Sequence, residues 1–192
     1  MNKNLETECK VLLNSEDYNS LYNYFNLDKL QPIKQMNYYF DTLGLNLATN
    51  GYNMRVRHII TDDKYILTVK IPQRNESNLE INQEINYNEF VDLIQYGKVP
   101  DGFINDEINK FNKDSILLLS SLLTTRYEFE YKLGLLALDY NQYNNRYDYE
   151  IEFEGSNIDY CKSVIGDLLT SLNIEYEFSK ISKRKRALES RF

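Results

Sequence analysis

The sequence predicts an α+β fold in which an antiparallel sheet forms an eight-stranded closed β-barrel with helices packed outside. The first observation behind this prediction is an alternation of charged and apolar residues, clearest in Glu6-Thr7-Glu8-Cys9-Lys10 and Glu150-Ile151-Glu152-Phe153-Glu154. Successive strand residues point to opposite faces, so each run places its charges on one face. The second observation is a series of strand-like segments in hairpin-like succession. The third is a set of helical segments between them.

The first half of the chain predicts five strands and two helices. Ser15 is the expected N-cap of the first helix, Asn50-Gly51 marks a turn, and Thr61-Asp62-Asp63 links the clearest hairpin. The expected strands are 5–13, 31–42, 52–60, 64–72 and 80–86, and the expected helices are 16–25 and 87–96.

The second half predicts three further strands, 125–132, 135–141 and 147–154, with Asn144-Asn145 turning between the last two. Residues 158–172 predict an amphipathic helix, 174–178 an extended piece and 183–190 a final helix. Residues 100–113 are polar and indicate loop with a short helix. The apolar segment 115–124 fits a buried strand or a buried helix, because periodicity does not separate the two.

Length and charge narrow the class of protein. A chain of 192 residues with 42% hydrophobic residues fits one domain, 1–192, with a real core. The net charge of −7 argues against a nucleic-acid binder but allows a basic pocket for a small polyanion. Cys9 and Cys161 lack metal-type spacing, and no apolar run approaches the ~18 residues of a membrane span, which together indicate a reduced cytoplasmic protein.

The charged faces allow two interpretations. In an ordinary half-buried sheet the charged face is exposed to solvent and the apolar face packs against the hydrophobic core. In a closed sheet whose apolar residues face outward under the helices, the charges line the interior instead. An eight-stranded barrel can enclose one small ligand, and a lumen with both signs of charge would suit a polyanion with metal ions.

Several motifs resemble the CYTH family, the triphosphate tunnel metalloenzymes. Glu6-Thr7-Glu8-Cys9-Lys10 matches the family's ExExK signature, which is a weak motif alone. The resemblance is carried by the order of further motifs: Asn37-Tyr38-Tyr39-Phe40-Asp41-Thr42, Met54-Arg55-Val56-Arg57, Leu67-Thr68-Val69-Lys70, Arg126, Leu138-Asp139-Tyr140, the Glu150–Glu154 run, and Ser182-Lys183-Arg184-Lys185-Arg186. The layout looks most like the small stand-alone members of Gram-positive bacteria.

The resemblance implies a tunnel that binds a triphosphate with Mg²⁺ or Mn²⁺, with two ions expected. It implies phosphate contacts from Arg55, Arg57, Lys70, Arg126 and Lys183. It implies metal ligands at Glu150 and Glu152 with Asp139 nearby, and a second metal with the attacking water at Glu6 and Glu8. Lys10 would contact phosphate or orient the acids.

Some residues are less settled by their pattern. Glu128 and Glu130 share a face with Arg126 and favour a salt-bridging role, whereas the register of Glu84 is undecided. Lys183 is preferred to Lys180 as the last basic residue. His58 follows Arg57 and should point to the opposite face, as should Cys9, which is expected under a helix.

The function expected from the resemblance is metal-dependent hydrolysis of a linear triphosphate, either inorganic triphosphate or thiamine triphosphate. The alternatives are an adenylyl cyclase that converts ATP to cyclic AMP and pyrophosphate, and a non-catalytic binder of triphosphates or nucleotides. A Walker-type phosphate loop is absent from the sequence, which argues against a P-loop NTPase. The expected partner is the small-molecule substrate, and no nucleic acid or membrane is expected. The sequence does not decide whether the protein forms a homodimer.

Overall fold

The computed structural model describes residues 2–74, 76–111 and 116–190. Its centre is one nine-stranded sheet with the order β1-β6-β5-β4-β3-β7-β8-β9-β2. Each pair of neighbouring strands is antiparallel. The strands are β1 Asn2–Glu6, β2 Glu8–Leu13, β3 Ile33–Thr42, β4 Asn53–Ile59, β5 Lys64–Pro72, β6 Asn78–Ile85, β7 Ile116–Tyr131, β8 Gly134–Tyr143 and β9 Arg146–Glu154.

Both edges of the sheet belong to the N-terminal segment. β1 pairs with β6 as far as Glu6 opposite Asn78, and β2 pairs with β9 from Glu8 opposite Glu154. Only Thr7 separates the two strands, so the sheet curls until its edges meet in one stretch of chain. The predicted antiparallel fold is confirmed, and the first expected strand is divided in two. The described residues form no ladder between β1 and β2, which are linked only through the backbone of Thr7, so the closed barrel stays a prediction.

The helices are α1 Ser15–Tyr24, α2 Asn46–Thr49, α3 Tyr87–Tyr96, α4 Phe103–Ile108, α5 Ile158–Ser171 and α6 Lys183–Glu189, with short 3-10 helices at Leu27–Lys29 and Asn109–Phe111. The expected cap of α1 was wrong by one residue, because Asn14 Oδ1 accepts the backbone N–H groups of Glu16 and Asp17 at 2.9 and 2.8 Å. A capping box between Asn86 and Glu89 starts α3.

Two apolar clusters lie on the convex side of the sheet, where the helices cover it. In the first, α1 and α5 pack on β2, β8 and β9 through residues such as Val11, Leu138, Ile151 and Ile165. In the second, α3 and α4 pack on β3 to β6 through residues such as Val56, Leu67, Phe90 and Ile104. The apolar faces of the strands therefore point outward under helices, and the alternating charges point inward.

Helix α6 takes a different position from these helices. Its Ala187 is fully buried against Tyr39 and Leu122, which share faces with cavity residues of β3 and β7. Asn144 Nδ2 donates to Ala187 O at 2.8 Å and holds the helix to the turn between β8 and β9. Helix α6 thus covers part of the concave side and brings its basic residues to the interior.

The apolar segment 115–124, which fitted either a strand or a helix, forms the first half of β7. Ser115 lies outside the described residues. A bulge shifts the register of β3 and β7 between Tyr39 and Phe40. Part of the polar segment 100–113 forms α4 and a 3-10 helix, while 112–113 lie outside the described residues.

The extended piece at 174–178 joins the sheet through one bridge, Val11 to Phe178. None of the described helices has the length and apolar character needed to cross a membrane.

Candidate functional site

A cavity of about 280 Å³, here called the central cavity, lies on the concave side of the sheet. Nine of the residues predicted for the site line it: Glu6, Glu8, Lys10, Arg55, Arg57, Lys70, Arg126, Glu152 and Lys183. They come from six strands and from α6, and their common orientation follows from the two-residue period of each strand. Asp139 and Glu150 are not among the lining residues; both are fully buried next to Glu152.

Two lysines hold the acids of the N-terminal strands. Lys70 Nζ lies 2.5 Å from Glu6 Oε2 and 3.9 Å from Glu8 Oε2, and Lys10 Nζ lies 2.9 Å from Glu8 Oε1. Burial opposes ionisation of Glu8, but Lys70 and Lys10 prevail and lower its pKa to about 2. Glu8 is therefore a carboxylate at any working pH, suited to accept hydrogen bonds or bind a cation.

A second acidic group lies across the cavity. Arg126 binds both carboxylate oxygens of Asp139, at 2.8 and 2.7 Å, and reaches Glu152 Oε2 at 2.5 Å. Lys183 Nζ lies 2.8 Å from Asp139, 2.5 Å from Glu150 and 2.8 Å from Glu152. Arg126 and Lys183 both contact Asp139, which explains how a fully buried carboxylate is tolerated there. Lys10 adds a contact to Glu152 at 3.2 Å.

The same three carboxylates could hold a metal ion. Asp139, Glu150 and Glu152 each offer an oxygen within 4.8 Å of the others. Carboxylate oxygens are the ligands that Mg²⁺ and Mn²⁺ favour, so the donor set here and at Glu6 and Glu8 fits a hard divalent ion. The Lys183 ammonium contacts Asp139, Glu150 and Glu152, so a metal ion bound to these three acids requires Lys183 to move.

The arginines of β4 face the cavity with little neutralisation. Arg57 contacts Asn37 Oδ1 at 3.3 Å, and no carboxylate of the described residues lies within salt-bridge distance of it. Burial, together with the nearby cations Arg55 and Arg126, lowers the pKa of Arg57 to about 9. Arg55 lies 3.5 Å from Glu80, and its buried Nε has no acceptor among the described residues. This side of the cavity therefore favours an added anion.

Sequence reasoning missed three contributors. Glu80 contacts Arg55 and Lys70, each at 3.5 Å; it shares a strand face with Glu84, which is exposed. In α6, Arg184 binds the buried Asp41 at 3.1 Å, and Arg186 binds Glu150 at 2.7 Å. The basic run at 183–186 was the signal for these contacts, but only helix docking shows where each side chain goes.

The remaining residues fall largely where their patterns placed them. Glu128 binds Arg126 at 3.1 Å, as expected of a salt-bridging residue, whereas Glu130 is exposed. Outside the cavity, His58 stacks on Tyr65 with ring centroids 4.2 Å apart. Cys9 is buried in the same apolar cluster as α5.

Comparison with known proteins identifies the family of this chain. The CYTH domain family profile matches residues 4–187. YjbK of Bacillus subtilis, named as a candidate triphosphatase, is 31% identical over 182 residues that cover 94% of this chain and 93% of YjbK.

Solved structures show the same fold. A candidate adenylate cyclase from Bacillus halodurans superposes with a TM-score of 0.88 at 26% identity, covering 97% of this chain and 98% of the other. A candidate adenylyl cyclase from Hippeastrum, described as having a dominant triphosphatase activity, gives a TM-score of 0.75 at 20% identity and covers 97% and 95% of the two chains. This chain belongs to the CYTH domain family.

Proposed function

We propose that this protein hydrolyses a linear triphosphate, inorganic triphosphate or thiamine triphosphate, in a reaction that requires a divalent metal. The observation that carries the proposal is the set of cations converging on one small cavity, among which Arg57 has no carboxylate partner in the described part of the chain. The relationship to YjbK, named as a candidate triphosphatase, supports the same activity.

Basic residues from several elements would hold the phosphates. Arg55 and Arg57 on β4 offer planar guanidinium groups that suit two parallel hydrogen bonds to phosphate oxygens. Lys10, Lys70, Arg126 and Lys183 add charge from other directions, although each now contacts a carboxylate. A bound triphosphate would share these cations with the acids, which lowers the cost of bringing an anion into a poorly hydrated cavity.

Acidic residues would hold the metal in two groups. Glu6 and Glu8 form one candidate ligand group, and Glu152 with Asp139 and Glu150 behind it forms the other. A divalent ion bound to these oxygens would neutralise phosphate charge as the reaction proceeds. Occupation of both groups, hence two ions, requires Lys183 to leave the second group and turn towards phosphate.

The chemical step follows from these positions. The oxygen of a water molecule forms a bond to the terminal phosphorus while the bridging P–O bond breaks, and diphosphate leaves with the bonding electron pair. Glu6 and Glu8 would accept hydrogen bonds from that water and orient it, because phosphoryl transfer depends mainly on positioning and charge stabilisation. Its proton passes to the phosphate products or to solvent, since a carboxylate as acidic as Glu8 is a weak base.

Product analysis tests the proposal. Purified protein is incubated with inorganic triphosphate, thiamine triphosphate or ATP, each with Mg²⁺, with Mn²⁺ and with a chelator. We expect one phosphate released per triphosphate, only with metal. Cyclic AMP and pyrophosphate from ATP would favour the cyclase instead, an activity named for the Bacillus halodurans structure. Binding without turnover of any of the three substrates would leave a triphosphate-binding protein.

A further inference from the structure

Basic residues of helix α6 bind acids on two sides of the helix. Successive residues of an α-helix are turned by about 100°, so Arg184 and Arg186 lie about 200° apart, whereas Lys183 lies within about 60° of Arg186. Arg184 binds Asp41 near the end of β3. Arg186 binds Asp148 near the start of β9. Strands β7 and β8 lie between β3 and β9, so the two ion pairs fasten α6 across four strands of the sheet.

The ion pair on the β9 side engages all three nitrogen atoms of one guanidinium. Arg186 Nε donates to Asp148 Oδ2 at 2.9 Å, and Nη2 lies 2.7 Å from Glu150 Oε2. Arg186 Nη1 donates to Ile181 O at 3.0 Å, in the chain that enters α6. The fully buried Asn141 donates from Nδ2 to Asp148 Oδ1 at 2.9 Å. Asp148 is therefore held by the sheet and offers the helix a fixed acceptor.

The ion pair on the β3 side also uses a fixed acceptor. The carboxylate of the fully buried Asp41 accepts three backbone N–H groups at 2.8 to 3.0 Å, those of Thr42, Leu47 and Ala48. Its Oδ2 atom also accepts from Arg184 Nη1 at 3.1 Å. The chain at the start of α2 thus sets the position of the acid that Arg184 binds.

The two ion pairs can hold α6 while Lys183 changes partner. Lys183 and Arg186 bind different oxygens of Glu150, Oε1 and Oε2. When Lys183 turns towards phosphate, Arg186 can stay on Glu150 and keep the helix in place. Asp41 and Asp148 are not among the described residues that line the central cavity, so neither would touch a bound triphosphate there.

We propose that Asp41 and Asp148 are positioning residues for Lys183. They act through Arg184 and Arg186, which hold α6 across the sheet. The Lys183 ammonium is thereby kept within reach of the three acids and of a bound phosphate chain, so less conformational freedom is lost on binding. The inference rests on the proposed triphosphate site and extends its machinery to two acids outside the central cavity.

Acylation of Lys183 tests the positioning without any substrate. An acylating reagent attacks the free amine, so an ammonium that contacts three carboxylates and is only 11% exposed should react slowly. We expect Asp148→Asn and Asp41→Asn each to speed this reaction about 10-fold or more relative to the exposed Lys180. Asparagine removes the charge that the arginine binds, and a hydrogen bond to a charged group shifts a local equilibrium by at least about that factor. Mass spectrometry measures each lysine separately.

The matched control removes an ion pair from the exposed side of the same helix. Glu189 lies 3.7 Å from Lys185, and both side chains are exposed. We expect Glu189→Gln to leave the acylation of Lys183 unchanged. Equally fast acylation in this control would overturn the inference, because any loss of charge on α6 would then loosen Lys183.

A double-mutant cycle tests whether the anchoring acids act through Lys183. Calorimetric titration with inorganic triphosphate, in a chelator to prevent turnover, compares the wild type, Asp148→Asn, Lys183→Met and the double variant. We expect Asp148→Asn to weaken binding about 10-fold when Lys183 is present and about 2-fold or less when it is methionine, because coupled residues are not additive. A purely structural role would give the same loss in both backgrounds.

The two measurements separate this inference from the proposed function. Faster acylation of Lys183 in the anchor variants, with a binding loss that disappears in the Lys183→Met background, supports the inference. Unchanged acylation in the folded anchor variants, or an equal binding loss in both backgrounds, would overturn it while the triphosphate site stands. If the wild type binds no triphosphate, the proposed function fails and acylation alone decides the positioning. Thermal melting identifies a variant that does not fold, and the other anchor variant then decides.

Discussion

Lys183 Nζ lies 2.5 Å from Glu150 Oε1, at the centre of three carboxylates that are nearly or fully shielded from solvent. The lysine comes from the first position of α6, and the acid comes from the middle of β9. A cation delivered by the C-terminal helix thus sits on acids that could otherwise bind a metal ion. Burial raises the pKa of Glu150 to about 7, and the neighbouring Glu152 adds to this, so the cluster depends on Lys183 for its balance.

Removing Lys183 should destabilise the protein and should make its stability depend more strongly on added divalent cations. We expect Lys183→Met to lower the free energy of unfolding, but by less than the about 3 to 5 kcal/mol that a buried charge without any partner costs. The loss is smaller because Arg126, Arg186 and Lys10 still contact the three acids. Added Mg²⁺ or Mn²⁺ should restore the melting temperature more in this variant than in the wild type. The control is Lys180→Met, which changes an exposed lysine three positions earlier. An unchanged melting temperature in Lys183→Met would contradict the balance described here.

Arg57 and Arg126 should respond in opposite ways to the same substitution. Arg57 has no carboxylate partner among the described residues, so we expect Arg57→Met to leave the melting temperature of the ligand-free protein unchanged or raised. Arg126→Met should lower it, because Asp139 and Glu152 lose their shared guanidinium.

Ligand binding completes the Arg57 prediction. Arg57→Met should weaken triphosphate binding about 10- to 100-fold, because hydrogen bonds to charged groups contribute about 1.5 to 3 kcal/mol. Calorimetric titration with inorganic triphosphate measures the effect. A variant that loses stability but keeps its affinity would show that Arg57 supports the fold and does not hold phosphate.

The cysteines should be unreactive in the folded protein. Both thiols are buried, and burial together with the neighbouring Cys161 raises the pKa of Cys9 to about 12. At pH 8 almost no thiolate forms, and the thiolate is the reactive species. We expect an aromatic disulfide reagent to label neither thiol in native protein and both after unfolding in denaturant. Rapid labelling of the native protein would show that the interface between β2 and α5 opens readily.

Stability should fall in alkali for the same reason. The folded state keeps the Cys9 proton up to about pH 12, whereas the ordinary thiol pKa is 9.0. Between these values the unfolded state binds fewer protons, so the free energy of unfolding decreases as pH rises. Urea titrations from pH 8 to pH 11 measure the slope. Cys9→Ala should reduce it, and an unchanged slope would argue against a shifted thiol.

The inward charges were readable from the sequence because strands have a period of two. Arg55 and Arg57 share a face wherever their strand lies, and Glu6 and Glu8 do so even across the break at Thr7. Periodicity alone left open whether the charged face was exposed to solvent or enclosed. The helical segments and the family resemblance favoured outward apolar faces under helices, and the two apolar clusters show this arrangement.

Features that depend on tertiary packing were not readable. Nothing local marks Thr7 as the point where the first strand changes partners, since threonine is an ordinary strand residue. The apolar run in the first half of β7 is equally compatible with a helix until β3 is seen to pair with it. The positions of Lys183, Arg184 and Arg186 follow from the docking of Ala187 on Tyr39, which no periodicity encodes.

The most direct test of the proposed function is phosphate release from inorganic triphosphate by the wild type and by Glu8→Gln, with Mn²⁺ or Mg²⁺ and with a chelator. Glu130→Gln, an exposed change of the same kind, is the control. We predict metal-dependent release in the wild type and the control. In Glu8→Gln we predict release about 100-fold slower, because misplacing a reacting group by about 1 Å can cost about 10²-fold in rate, and a smaller loss of triphosphate binding. Release that continues in the chelator, or that is unchanged in Glu8→Gln, would contradict a metal-dependent triphosphatase centred on Glu6 and Glu8.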